Sequence, residues 1–216
     1  MFTSRKTVVV LLAMLLVSLA GNAFAAELPM DNFSWGPKPA QENYIAADEY
    51  QDSSISVKIY TGHYADTTYN CAHVKISHPS QLRTAPAGLI DSDRADFRSA
   101  TTSRGRFVAN KVNAVIAING DFYAFRDLGI TVYQRNLYRN NPATVDSCFF
   151  TASGDMLFSR AGELMGEGEA QKFIEDNDVV FAVAFGPVLV DNGELQYCES
   201  YPIGEIYTTY SRAAIG

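Results

Sequence analysis

Basic residues are in short supply in this sequence, which has 17 Lys and Arg against 24 Asp and Glu and a formal net charge of −7. Binding to DNA, RNA or an anionic membrane surface depends on Lys and Arg that neutralise phosphates. We therefore expect no nucleic-acid partner. Gly-rich phosphate loops, dinucleotide fingerprints and Gly-x-Ser-x-Gly elbows are missing too, so we expect no cofactor and no serine triad.

Cysteine and histidine are equally scarce in the chain, which has Cys71, Cys148 and Cys198 and also His63, His73 and His78. Three cysteines allow at most one intramolecular disulfide, and the sequence does not choose among the three pairings. The spacing of Cys71, His73 and His78 matches no standard zinc pattern. We expect buried thiols or a single disulfide, and no metal.

Apolar runs long enough to span a bilayer do not occur after the N-terminus. Residues 1–6 carry two positive charges, residues 7–20 are almost wholly apolar, and residues 23–25 place alanine at the two positions that signal peptidase reads. This pattern predicts a signal peptide at 1–25 that is cleaved before Ala26. The mature protein is then expected to be secreted or extracytoplasmic, in the cell envelope, with no stable membrane span.

The remaining chain predicts one strand-rich domain after a short leader. Residues 26–50, with three prolines, show no hydrophobic period and are expected to form a leader or linker before a domain at 51–216. A short helix capped by Thr102 or Ser103 is predicted to reach Lys111, and a second helix is predicted at 168–175. Strands are predicted at 54–60, 69–76, 114–118, 130–133, 148–151, 156–159, 179–185 and 188–190. The sum is an α+β domain, a strand-rich mixed sheet with few helices.

The run at 114–118 is continuously apolar, as in a strand buried on both faces, and it ends at Asn119-Gly120-Asp121. An amide and a carboxylate at the rim of a core could face a ligand, and an Asx turn is the alternative. Three acidic residues lie between positions 94 and 139, against eight basic ones: Arg94, Arg98, Arg104, Arg106, Lys111, Arg126, Arg135 and Arg139. Because arginine offers a planar fork of donors, this segment predicts either an anion site or a solvated basic face.

Four short motifs follow one another along the chain: AVIAINGDFY at 114–123, Gly129-Ile130, AFGPVLVDNG at 184–193 and SRAAIG at 211–216. In this order they resemble the phosphodiester glycosidase family, and the likeness covers roughly residues 55–216. Members of that family cleave the bond between a sugar anomeric carbon and a phosphate diester. Many bacterial members are exported proteins associated with the envelope or with exopolysaccharide.

The resemblance also implies which residues form the site. Asp121 and Arg212 are implied as catalytic residues, and the residues expected to bind or border the substrate are Asn119, Gly120, Gly186 and Arg126. A phosphomonoester leaving group is already a stable anion, so cationic stabilisation matters more than protonation. Asp121 is then expected to assist the anomeric centre or a water, Arg212 to hold the phosphate, and Asn119 to bind sugar hydroxyls.

The sequence thus predicts an exported phosphodiester glycosidase that hydrolyses a sugar-1-phosphodiester bond in envelope or exopolysaccharide glycans. Two alternatives stay open: a non-catalytic module that binds anionic glycans through the Arg-rich segment, and an inactive fragment. The fragment is considered because family members continue to an Asp-Gly-Gly motif, whereas this chain ends at Gly216. The C-terminal part of the domain is therefore expected to be missing.

Overall fold

The computed structural model describes residues 27–29, 34–88, 102–121, 129–141, 145–164, 166–184, 186–196, 201 and 207–216. The predicted signal peptide, Arg126 and Cys198 lie outside these residues. The fold is the strand-rich α+β arrangement that the sequence predicts, with two α-helices and four small sheets among the described residues. Every strand pairing in them is antiparallel.

The first sheet contains β1 (Tyr44–Ala46), β2 (Glu49–Gln51), β3 (Ile55–Tyr64) and β4 (Thr67–Ile76), in that order. The predicted strands at 54–60 and 69–76 are confirmed as parts of β3 and β4. Beyond the short strand β2, the outer half of the β3–β4 hairpin projects into solvent, and Tyr64 beside its tip is 81% exposed.

The predicted leader at 26–50 is wrong at its C-terminal end, because β1 and β2 lie largely within it. Tyr50 is buried, pairs with Val57 of β3 and packs edge-on against Tyr44 with 4.8 Å between ring centroids. These aromatic contacts hold the first two strands on the sheet. Each strand has three residues, which is too short for alternation to appear in the sequence.

Residues before β1 are also fixed to the domain, through Arg83. One guanidinium nitrogen of Arg83, Nη1, donates to the carbonyls of Pro29 and Ser34 at 2.8 and 2.9 Å. The same guanidinium lies 4.6 Å from the centroid of the Trp35 ring. Leu28 adds a bond from its amide to Ser80 Oγ at 2.9 Å. We call the described residues 27–29 and 34–36 the N-terminal strap.

The main core lies around a three-stranded sheet in the order β8 (Met156–Ser159), β7 (Ser147–Thr151), β9 (Val179–Ala184). β5 (Gly129–Tyr133) pairs with β6 (Asn136–Asn141), and the helix that we label α2 (Glu169–Asp176) follows β8. The central buried cluster is Ile130, Val132, Phe149, Ala170, Ile174, Val179 and Ala182. The strands predicted at 130–133, 148–151 and 156–159 and the helix predicted at 168–175 are confirmed within a residue or two. The strand predicted at 179–185 is confirmed as far as Ala184.

The predicted strand at 114–118 is wrong. The helix α1 (Gly105–Lys111) ends just before it, and residues 114–121 then run as bends and irregular chain, with Ile118 61% exposed. A buried strand needs neighbours that satisfy its backbone groups, and no described strand pairs with this segment.

The predicted cap of α1 is also wrong, since Arg104 stands at the N-cap without a side-chain hydrogen bond. The last predicted strand is shifted, to β10 (Val190–Asp191), which pairs with β11 (Glu194–Leu195).

Replacement of Arg83 by alanine is expected to release the N-terminal strap, because it removes two hydrogen bonds and the cation above Trp35. Trp35 is the single tryptophan of the chain, so its fluorescence reports the strap directly. We expect emission at longer wavelength and a loss of about 1–2 kcal/mol in the free energy of unfolding. The matched control is Lys172→Ala, which breaks an exposed ion pair with Asp176 within the helix at 169–176. An Arg83→Ala spectrum identical to that of the unsubstituted chain would contradict this role.

Candidate functional site

Asp121 lies against the end of β9, although 63 positions separate the two in sequence. Its Oδ2 accepts a hydrogen bond from the backbone amide of Ala184 at 3.0 Å. Asp121 is half-buried, so its carboxylate sits at the boundary between core and solvent. The first and third motifs of the chain therefore meet here, two residues before Gly186.

Gly129, which opens the second motif, approaches the same point. Its φ is +78°, and a Cβ on this residue would lie 2.7 Å from Ala184 Cβ and 3.3 Å from Val145. Both the backbone conformation and the available space thus require glycine. Three of the four motifs consequently converge on Ala184, the last residue of β9.

Gly186 turns the chain just after that point. Its φ is +60°, and a Cβ there would overlap the Tyr201 hydroxyl and lie 2.9 Å from Asp146 Cβ. The need for glycine therefore comes from side chains of this protein that pack on the turn. Gly186 itself is exposed on its other side.

Asp146, which the sequence reasoning missed, is the most heavily bonded carboxylate of this region. It is 7% exposed, and its two oxygens accept from the backbone amides of Ala161 and Val188, each at 3.0 Å. Its own amide donates to Tyr201 Oη at 2.6 Å. The one signal in the sequence is an isolated acidic residue directly before a strongly apolar strand, because a carboxylate in that place must find donors.

Arg160 connects this carboxylate to the hairpin that follows. Its Nη1 lies 3.5 Å from Asp146 Oδ2, while Nη2 lies 3.0 Å from Asp191 Oδ2 and 3.2 Å from Gln196 Oε1. Asp191 belongs to β10 and Gln196 directly follows β11. Two carboxylates thus balance the one guanidinium, which makes the group a structural link.

The other predicted site residues have different surroundings. Asn119 and Gly120 are exposed and directly precede Asp121, so they border the same rim. Arg212 is exposed, and its Nη2 donates to the carbonyl of Thr208 at 2.8 Å while the guanidinium lies 5.4 Å from the centroid of the Tyr210 ring. These contacts are within its own segment. Arg126 lies outside the described residues.

The basic residues of the Arg-rich segment do not all gather at this rim. Arg135 follows β5 at the end away from Gly129 and pairs with Asp178, with Nε and Oδ1 2.7 Å apart. The hydrogen bond from Arg135 lowers the pKa of the Asp178 carboxyl below its usual value. Arg104 and Arg106 are exposed at the start of α1. Part of the local positive charge is therefore already neutralised.

A separate cavity of about 280 Å³ lies at the opposite end of the β7–β9 pair. Phe150 and Phe181, stacked with 4.4 Å between centroids, form part of its wall, and His78 and Arg135 contribute polar groups. His78 Nδ1 lies 2.8 Å from Ser80 Oγ and also accepts from the Ser80 amide, which identifies it as a helix cap. The predicted site residues are not part of this cavity.

The two described cysteines are free thiols in different surroundings. Cys71 is exposed on β4, whereas Cys148 is half-buried on β7, and burial raises the pKa of its thiol to about 11. The described residues contain no group of three His, Cys, Asp or Glu side chains placed to hold a metal. Within the same residues, no helix has the length and apolar character that crossing a membrane requires.

Comparison of the chain with known proteins identified no relative. No family model matches the chain, and no curated protein or solved structure matches it. The family resemblance therefore depends on the four motifs of the sequence.

The difference between the two thiols predicts a difference in chemical reactivity, because the thiolate is the reactive form. A pKa near 11 leaves Cys148 about 100-fold less thiolate at pH 8 than a thiol at its ordinary value of 9.0. In chains that keep one cysteine, with the others changed to serine, labelling by a maleimide should be at least tenfold slower for Cys148 than for exposed Cys71. The Cys148 rate should rise with pH up to about 11. Equal rates at pH 8 would contradict the burial of Cys148.

The packing at Gly129 predicts a large cost for a single methyl group. Gly129→Ala must push the end of β9 away, and we expect about 2–4 kcal/mol of destabilisation in urea unfolding. Gly162→Ala is the matched control, since Gly162 also has a positive φ, +86°, but open space around it. A loss at Gly129 no greater than at Gly162 would mean that the contact with Ala184 is unimportant.

Proposed function

We propose that this protein is an exported phosphodiester glycosidase that hydrolyses a sugar-1-phosphodiester bond in envelope or exopolysaccharide glycans. The observation that carries the proposal is the convergence on Ala184. Asp121, Gly129 and the segment leading to Gly186 come from three separate motifs, and each contacts the end of β9 or continues from it. Motifs that a shared site requires are expected to meet in space, and these three do.

The proposed reaction forms a bond between a water oxygen and the anomeric carbon and breaks the bond from that carbon to the phosphate oxygen. The products are a free sugar and a phosphomonoester. Asp121 is the group suited to accept the proton of the attacking water, since one oxygen is fixed by the Ala184 amide and the residue reaches the surface. The phosphomonoester leaves as an anion, so it needs no strong acid.

The remaining roles are assigned by residue chemistry. Arg212 is exposed and positively charged, which suits a contact with the phosphate oxygens. Asn119, at the exposed rim beside Asp121, can donate to and accept from sugar hydroxyls. Arg126 lies five positions after Asp121 in sequence and is proposed as a second phosphate contact.

A second candidate is a non-catalytic module that binds anionic glycans. The observation that favours it is the exposure of Arg104 and Arg106 together at the start of α1. Such a module would bind an anionic polysaccharide without changing it. Turnover therefore separates the two candidates.

The deciding assay offers the full chain a panel of methyl diesters of sugar 1-phosphates, in both anomeric forms, in water enriched with ¹⁸O. A glycosidase places the heavy oxygen on the released sugar, whereas a phosphodiesterase places it on the phosphate. Asp121→Asn is expected to lower kcat by about 100-fold or more, and Arg212→Ala to lower kcat/KM by a similar factor. No sugar release from any member of the panel would remove the proposal.

Matched controls for this assay exist elsewhere in the chain. Asp66→Asn changes an exposed carboxylate at the tip of the β3–β4 hairpin, and Arg106→Ala removes an exposed arginine on α1. Both should retain nearly full hydrolysis. Full hydrolysis by Asp121→Asn would exclude Asp121 from the chemistry, and saturable glycan binding that Arg106→Ala weakens, without turnover, would favour the binding module.

A further inference from the structure

Asp146 is a buried carboxylate that the proposed chemistry does not use. With 9% of its side chain exposed, both oxygens bonded to backbone amides and Arg160 beside it, it is poorly placed to exchange protons with a substrate. Its position is nevertheless next to the candidate site. Asp146 immediately precedes Ser147, and Ser147 pairs with Ala184, whose amide binds Asp121.

The contacts of Asp146 define the course of the chain after β9. Oδ2 holds the amide of Val188 at 3.0 Å, and the Asp146 Cβ packs on Gly186, so both ends of the turn at 186–188 are fixed by one residue. Tyr201 closes the same turn from another side, through its hydroxyl on the Asp146 amide and its contact with Gly186.

We infer that Asp146 is a positioning residue of the site: it holds the turn at 186–188 in the place that lets the turn and Asp121 face one substrate. The inference rests on the proposed function for its catalytic part and on the described bonds for its structural part. A carboxylate is required, since one group must accept from two amides at once while balancing Arg160. An amide side chain offers one acceptor oxygen in place of two.

The test compares Asp146→Asn with Asp191→Asn. Both variants remove a negative charge from Arg160, but Asp191 is bonded to Arg160 at 3.0 Å without holding the Val188 amide. Amide hydrogen exchange is measured by NMR in both. For Asp146→Asn we expect at least tenfold faster exchange at Val188 or Ala161, with β7 amides unchanged, and for Asp191→Asn no change at Val188.

Kinetics on the same variants separate positioning from stability. Asp146→Asn is expected to lower kcat for the sugar 1-phosphate diester by about 10- to 100-fold with KM within threefold, because a misplaced turn affects the reacting geometry. Asp191→Asn should keep kcat within threefold. Faster exchange with unchanged kcat would overturn the positioning role, and so would unchanged exchange at both amides.

If Asp146→Asn does not fold, Tyr201→Phe carries the test, since it removes the hydroxyl that binds the Asp146 amide and should loosen Val188 in the same direction by a smaller factor. If the unsubstituted chain releases no sugar, the proposed function fails. The exchange data then decide alone: protection lost in Asp146→Asn and kept in Asp191→Asn supports the structural part, and equal protection overturns it.

Discussion

The pairing of β7 with β9 is the constraint from which the candidate site follows. Ser147 lies opposite Ala184, and this register brings Asp146, directly before β7, beside the turn that leaves β9. A slip by one residue would exchange the faces of the strand and expose Phe149, which is completely buried. The hydrophobic core therefore sets the position of the polar rim.

The carboxylates of Asp121 and Asp146 accept hydrogen bonds from backbone amides at the end of the sheet. At the end of β9, just after it and after β8, three backbone amides donate to side chains: those of Ala184, Val188 and Ala161. Each of these three amides is bound by a carboxylate, from Asp121 or Asp146. A sheet edge closed by acidic side chains needs no further strand at that place. It also leaves the half-buried carboxylate of Asp121 at the boundary between core and solvent.

Much of the fold is readable from the sequence because its main strands have strong local patterns. In β3, apolar and polar residues alternate along the sequence. The strands β5, β7 and β9 are apolar runs bounded by turns. The helix α2 places Ala170 and Ile174 on one face. The first two strands are unreadable because three residues show no period. The run at 114–118 misleads because an apolar composition predicts burial, whereas burial as a strand also needs partners that other parts of the chain must supply.

The candidate site is predictable from the sequence only in part, because the contacts that fix its carboxylates join residues far apart in the chain. Asp121 stands out through its motif, but the bond from Ala184 that fixes it crosses 63 positions. Asp146 has no motif at all, and its partners lie 15 and 42 positions away on backbone atoms of residues with apolar side chains. Every residue except proline has a backbone amide, so the residue type does not show which amides act as donors to a side chain. The structure alone therefore shows which backbone amides such a carboxylate binds.

The projecting tip of the β3–β4 hairpin gives the protein a convenient handle. The turn at Ala65 and Asp66 is exposed and lies at the far end of two ten-residue strands, remote from the paired strands β7 and β9. Exposed loop tips of this kind tolerate inserted sequence well. An epitope or a fluorophore attached there would let the protein be followed in cells while the residues around Ala184 stay unaltered.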